Sequence, residues 1–429
     1  MPTIRRLSAL EILDSRGRPT VRATCGLDGG VDAAVSVPSG ASRGRAEAVE
    51  LRDGDPSRYA GAGCRKAVEH VRSVIAGALQ GRDFPDQRAL DEALCRLDGT
   101  PDKSRLGANA LLAVSLAFAR AHAAARGEAL YAHLAQLPGL RVETLPRLTV
   151  NLFSGGLHAG GQTASQDVLL VPAATTIDDG LAVVHAIYQA AARLVHTKYG
   201  MRLLTADEGG LAPDFPSSEA MLEDAVESIR EAGYREGEDV FLAVDVAATH
   251  FYRDGVYHLD GDRLASAEMI ERIATWVARY PIVSVEDGLA EDDWRAWPAL
   301  RRRLAGCAVT LGDDLLCTNP QRIRRAIEAA AADALLLKVN QIGTLSEAAE
   351  ALRLARGAGW HVTISARSGE TEDDWLADLA VGWQATQIKV GSLRQSDRLA
   401  KYNRLLEIEA ATRLPVASWP TARASLVHA

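Results

Sequence analysis

The stretch from Ala308 to Asn340 decides the fold. It opens on AVTLGDD (308–314), passes through the helix-like NPQRIRRAIEAAAA (319–332) and closes on DALLLKVN (333–340). An apolar β-rich run, a helical segment and a second apolar run are the pattern of a parallel βα unit, whose strands are buried on both faces. The same rhythm recurs on either side of it. RLTVNLF (147–153), DVLLVPA (167–173), VFLAVDVAA (240–248) and PIVSVEDG (281–288) precede it, and HVTISARSG (361–369) and ATQIKVG (385–391) come after it. Apart from the first pair, helix-like segments such as LSEAAEALRLARGAG (345–359) separate these runs. Eight of them are enough to close a (β/α)8 barrel.

Ahead of the barrel the pattern is mixed. PTVRATCGL (19–27) and GVDAAVSVP (30–38) read as strands, and GANALLAVSLAFARAHAAARGEALYAHLAQL (107–137) reads as one Ala/Leu-rich helix stopped at Pro138. Pro138, Gly139 and Pro146 punctuate a non-periodic link, which predicts an N-terminal domain over 1–138 and a barrel domain over 139–429. The C-terminal TRLPVASWPTARASLVHA (412–429) reads as a loose tail.

A chain of 429 residues with 47% hydrophobic and 24% charged residues has an ordinary globular composition. Its net charge of −8 argues against nucleic acid or an anionic membrane as the main partner. A small anionic substrate remains open, because local cations or bound metal outweigh a global charge. Five cysteines without CxxC or zinc-type spacing fit reduced thiols. No signal-peptide core or uncharged membrane span is read, so a cytoplasmic location is expected.

The chemistry lies at the carboxyl ends of the apolar runs. Asp245, Glu286, Asp313, Lys338, Arg367 with Ser368, and Lys389 stand at or just beyond successive strand ends. In a barrel those ends converge on one mouth, where barrel active sites lie. Three carboxylates on successive strands suit a hard cation such as Mg²⁺. The competing reading, ion pairs alone, gives little stability to justify so many charges. A lysine among cations can have a lowered pKa and act as a general base. Asp207 and Glu208, ahead of two glycines, could supply the opposing acid. The segment SVPSGASRGRAEAVELRD (36–53) joins a Gly/Ser loop to Arg43 and Arg45, a combination that suits an anion, before an acidic stretch of helical composition.

These residues sit in longer motifs. They include ILDSRGRPTV (12–21), SGASRG (39–44), GGLHAGG (155–161), DEGGLAP (207–213), VEDGLAEDDW (285–294), GDDLLCTNP (312–320), LLLKVNQIGTLSEA (335–348), SARSGETEDDWLADLAVG (365–382) and RLAKYNRLLEIE (398–409). Together, from about residue 4 to 410, they resemble enolase. The resemblance implies an α/β fold, a modified (β/α)8 TIM barrel whose second strand is antiparallel, capped by an N-terminal α+β domain. It implies elimination of water from a 2-phosphoglycerate-type acid with two Mg²⁺ per active site, in a homodimer or homo-octamer. On that likeness Asp245, Glu286 and Asp313 are ligands of the first Mg²⁺, and Ser39 is a ligand of the second and touches substrate. Lys338 is the base, Glu208 the acid, and Lys389, Arg367, Ser368, His158 and Gln166 substrate contacts.

Several positions depart from the family pattern. SHRSGE is SARSGE here, placing Ala366 where a histidine is expected; QEF is Gln166-Asp167-Val168; SGASTG is SGASRG, placing Arg43 in the loop; EDP is EDG at Gly288. Ala366 removes bulk, and Arg43 adds a planar donor suited to a carboxylate or phosphonate. The expected reaction is therefore the same elimination on a carboxyphosphonate analogue of 2-phosphoglycerate, giving carboxyphosphonoenolpyruvate. The alternatives are a housekeeping enolase, a Schiff-base aldolase, which leaves the three acids unexplained, and a non-catalytic paralogue.

Overall fold

The computed structural model describes residues 2–41 and 44–419. Three antiparallel strands, β1 (Ile4–Leu13), β2 (Pro19–Leu27) and β3 (Asp32–Ser36), form a meander at the N-terminus. Beyond the cap lies a closed eight-stranded barrel. Its strands are β4 (Arg147–Ser154), β5 (Asp167–Pro172), β6 (Val240–Asp245), β10 (Ile282–Glu286), β11 (Val309–Gly312), β12 (Ala334–Leu337), β13 (His361–Ser365) and β14 (Gln387–Gly391). A small sheet of β7 (Tyr252–Arg253), β8 (Val256–Leu259) and β9 (Asp262–Leu264) lies between β6 and β10. The α/β barrel with its α+β cap is the fold expected from the sequence.

In the deciding stretch, Asn319 caps the helix Pro320–Ala329, its Oδ1 accepting from Gln321 N at 2.9 Å, and Pro320 needs no N–H at the first turn. Such a cap contributes about 1 kcal/mol. All four residues of β12 are buried. Strand β5 alone runs against its neighbours β4 and β6. Residues 155–166 hold only a short 3-10 turn, too little chain for a helical crossover, so the strand returns antiparallel. One consequence shapes the site. The start of β5, with Gln166 and Asp167, lies beside the end of β6, since Asp167 pairs with Asp245.

The opening segment, unassigned in the sequence, forms β1, whose alternation is diluted because Arg5, Arg6, Leu10 and Leu13 face outward. Several local readings are corrected. The long helix breaks in two, Ala108–Ala125 and Leu130–Gln136, around Gly127, which has φ +65°. The first piece is long and apolar enough to cross a membrane, contrary to the sequence reading, but nearly all of it is buried inside the cap. The acidic stretch after the Gly/Ser loop forms no helix, and its backbone groups pair with distant partners: Ala48 N with Gln341 O at 2.8 Å and Val49 N with Asp102 O at 2.7 Å. The described part of the tail is anchored, with Leu145 N donating to Pro415 O at 2.9 Å and Trp419 buried against Leu169, Val171 and Phe241.

The cap is tied across the barrel mouth. Ser39 exchanges backbone hydrogen bonds of 2.8 and 3.0 Å with Gly369, and Ser15 N donates to Glu370 O at 2.7 Å. Trp375 Nε1 donates to Ser36 O at 3.0 Å. A Cβ on Gly369 would stand 2.2 Å from Asp14 Oδ2 and 2.7 Å from Ser39 O, so this seam requires glycine.

Candidate active site

Strand geometry brings the expected charges together. Asp245 ends β6, Glu286 ends β10, Asp313 follows β11, Lys338 follows β12 and Lys389 lies within β14. Lys389 Nζ is 2.8 Å from Asp245 Oδ2 and 2.7 Å from Glu286 Oε2, and Lys338 Nζ bonds to Asp313 Oδ2. Lys389, Asp245 and Glu286 are each at least nine-tenths buried. Burial pushes the Asp245 carboxyl up, but Lys389 and then His158 outweigh it and hold it at about 2. Burial and the neighbouring Asp245 charge push Glu286 well above the carboxylate range. The pocket therefore holds more negative charge than its lysines offset. Asp245, Glu286 and Asp313 offer the all-oxygen donor set a hard divalent cation takes, but they are not among the sets of described residues whose ligand atoms lie within 4.8 Å of one another. Burial lowers Lys338 while Asp313 raises it, and the net direction is upward. This differs from the lowered value expected for a base, because the Asp313 carboxylate beside the amine favours its ammonium form.

Asp287 supports this wall. Its carboxylate accepts from Asp313 N at 2.9 Å and Asp314 N at 2.7 Å. Candidate ligand atoms within 4.8 Å of one another form two sets among the described residues, Asp287–Asp313–Asp314 and His158–Asp167–Glu208.

The second set forms the opposite wall. Asp167 Oδ1 accepts from Ser154 Oγ at 2.6 Å, and its Oδ2 meets His158 Nδ1 at 2.9 Å. His158 Nε2 lies 4.0 Å from Glu208 Oε1, and Asn151 Nδ2 donates to Glu208 Oε2 at 3.1 Å. Burial lowers the His158 pKa, yet Asp167 and Glu208 push it up to about 9. Burial raises Glu208, and His158 with Arg398 brings it below its ordinary value. Gln166 Nε2 donates to Asp245 Oδ2 at 3.1 Å, joining the two walls. Glu208 reaches the interior because Gly209, at φ +86°, turns the chain there, whereas Asp207 is exposed.

The cap side is cationic. Arg367 pairs with Glu47 at 3.1 Å and donates to Asn340 Oδ1 at 2.9 Å. Ser368 Oγ accepts from Ala41 N at 2.9 Å and Arg16 Nη1 at 3.1 Å. Ser39 Oγ accepts from Arg52 Nη2 at 2.6 Å and Arg16 Nη2 at 3.4 Å. The Ser39 hydroxyl thus lies between two guanidinium groups. Arg43 lies outside the described residues. Ala366 is buried, its N–H donating to Lys389 O at 2.8 Å.

Arg16, Glu47, Arg52, Asn340 and Gln341 were not singled out as site residues. The Asp14–Arg18 turn carries Arg16, since Asp14 Oδ1 accepts from Arg16 N at 2.8 Å and Arg18 N at 2.9 Å. The DSRG tetrapeptide was the available signal for it. A cleft of about 760 Å³ lies on the cap–barrel seam beside Asp14, Ser15 and Glu370. Asp245, Glu286 and Lys389 do not line it.

The arrangement can remove a proton on the Lys338 side, stabilise a developing anion between Lys338 and Lys389, and deliver a proton from the His158–Glu208 side. Comparison with known families gives two matches. The model for the enolase C-terminal TIM barrel domain matches residues 142–416, and that for the enolase N-terminal domain matches residues 4–134.

Proposed function

Because the chain belongs to the enolase family, we propose that this Mg²⁺-dependent lyase eliminates water from a 2-phosphoglycerate-type acid. The substrate we assign is the carboxyphosphonate analogue, dehydrated to carboxyphosphonoenolpyruvate. The observation that carries the reaction is the pair of walls: Lys338 and Lys389 with the buried Asp245 and Glu286 and the half-buried Asp313 on one side, and Glu208 near His158 on the other.

Asp245, Glu286 and Asp313 would hold Mg²⁺, with a second ion at the cap loop for which the resemblance alone supports Ser39. Bound there, the metal supplies positive charge where the substrate carboxylate gathers electron density. Lys338, once neutral, takes the proton α to that carboxylate. Lys389 keeps its proton and stabilises the negative charge that develops. The electron pair forms the C=C bond as the β-hydroxyl leaves with a proton from Glu208, and His158 is placed to supply that proton. Arg367 and Ser368 receive the phosphoryl or phosphonate group. Two changes support the larger substrate. Ala366 leaves out an imidazole at a buried position between Ser365 and Arg367, and Arg43 adds a guanidinium to the Gly/Ser loop. The family likeness is also the support for a homodimer or homo-octamer working in the cytoplasm.

Assaying both acids with Mg²⁺ and with excess chelator tests the reading. Mg²⁺-dependent dehydration with preference for the carboxyphosphonate is expected. Preference for 2-phosphoglycerate would make the chain an ordinary enolase, and silence on both would remove the lyase assignment.

A further inference from the structure

Lys338 carries four rotatable bonds beyond its Cα, so its strand fixes where the side chain starts but not where the amine arrives. A closed ring of hydrogen bonds supplies the missing constraint. Lys338 N donates to Thr318 Oγ1 at 2.9 Å, and Thr318 Oγ1 donates to Gln341 Oε1 at 2.7 Å. Gln341 Nε2 donates to Asp313 Oδ1 at 2.9 Å, and Asp313 Oδ2 meets Lys338 Nζ. The ring leaves from the lysine backbone and returns to its ammonium group. Thr318 and Gln341 are both 0% exposed, so no water substitutes for a lost member.

The backbone at Thr318 is costly. Cys317 has φ +47° and Thr318 has φ +50°, two consecutive non-glycine residues in the left-handed region. A β-branched residue there is an outlier, and such strain persists only where the surroundings impose it. This turn is where the Thr318 hydroxyl meets both Lys338 N and Gln341 Oε1.

We propose that Thr318 and Gln341 are positioning residues for the elimination, aiming the Lys338 amine and fixing the Asp313 carboxylate beside it. The inference rests on the assignment of Lys338 as the base. It goes further by naming two uncharged residues that set the base's direction, Thr318 in the loop after Asp313 and Gln341 in the 3-10 turn that follows Lys338. Neither touches the reacting atoms in this account.

The test uses the full chain with Mg²⁺ and whichever of the two acids the wild type turns over. Thr318→Val keeps the shape and removes the hydroxyl. It is expected to lower kcat ten- to a hundredfold while KM stays within about threefold, because the interaction serves the transition state more than binding. Exchange of the substrate α-proton with D₂O should fall in parallel. Thr318→Ser should recover activity to within about threefold of wild type. Gln341→Met should lower kcat similarly, and it replaces Thr318→Val under the same criteria if circular dichroism shows that Thr318→Val does not fold.

A merely structural role predicts a lower melting temperature with kcat and exchange unchanged, or equal losses in kcat and KM, or no recovery with serine; any of these overturns the proposal. Lys338→Ala separates the two claims. If it keeps exchange, the base assignment fails. If it loses exchange while Thr318→Val and Gln341→Met keep wild-type rates, the positioning claim fails alone. Wild-type silence on both acids removes the functional reading and the positioning claim with it.

Discussion

The barrel wall and the cap wall of the mouth hold their charges in different ways. On the barrel side Asp245, Glu286 and Lys389 sit on strands whose hydrogen-bonded neighbours fix them, and their ion pairs stay within the barrel. On the cap side Ser39, Glu47 and Arg52 sit on irregular backbone. That backbone is held by residues far away in sequence, such as Gly369, Gln341 and Arg367. The first wall is held by strand pairing. The second is held by contacts that a substrate anion can replace, since Glu47 occupies the guanidinium to which the phosphoryl group is assigned.

The largest effect should come from the barrel wall. Asp313→Asn removes one formal charge from a hard-cation donor set and is expected to lower turnover about a thousandfold or more. Mg²⁺ affinity, measured by titration calorimetry, should weaken with it. A variant of normal activity would move the metal elsewhere.

On the cap wall, Glu47→Gln should act first on stability. Breaking one side of a buried ion pair costs about 3–5 kcal/mol, so the melting temperature of the substrate-free protein should fall. Inorganic phosphate should recover part of that loss by pairing with Arg367. Thermal melts with and without phosphate check this, and a loss that phosphate does not relieve would contradict an exchangeable cap contact.

His158 belongs to the wall opposite the metal carboxylates, and its ion pair gives a pH signature. Its pKa is raised from 6.5 to about 9 against the pull of burial. Stability from the charged form is therefore complete below about pH 6.5 and is lost as pH rises through 9. Wild type should lose melting temperature between pH 7 and 9.5, and His158→Gln should lose less over that window. Parallel curves would show that Asp167 does not hold a charged imidazole.

The smallest effect concerns substrate choice. Arg43→Thr is expected to lower efficiency on the carboxyphosphonate acid ten- to a hundredfold, the size of a charge-assisted hydrogen bond, and to spare 2-phosphoglycerate. Equal losses on both acids, or none on either, would remove the selectivity argument.

The two walls were also unequally legible in the sequence. Apolar runs ending in Asp245, Glu286 and Lys389 declare both the strand and the charge, because a fully buried strand has a local signature. The direction of β5 came from family likeness, although the shortness of residues 155–166 held the physical reason. The cap was harder. RAEAVELRD has helical composition, yet it is irregular, with Gln341 and Asp102 taking backbone hydrogen bonds from Ala48 and Val49. Nothing local encodes partners 53 or nearly 300 residues away. Glu47, Thr318 and Gln341 were missed for the same reason, since each matters through what it touches rather than through its neighbours in the chain.

The most direct test of the division between proton removal and hydroxyl departure is exchange of the substrate α-proton with D₂O in two variants. Lys338→Ala should lose exchange and dehydration together. Glu208→Gln should keep exchange and lose dehydration, because the two steps belong to opposite walls. Exchange that survives in Lys338→Ala, or that disappears equally in both folded variants, would contradict the account.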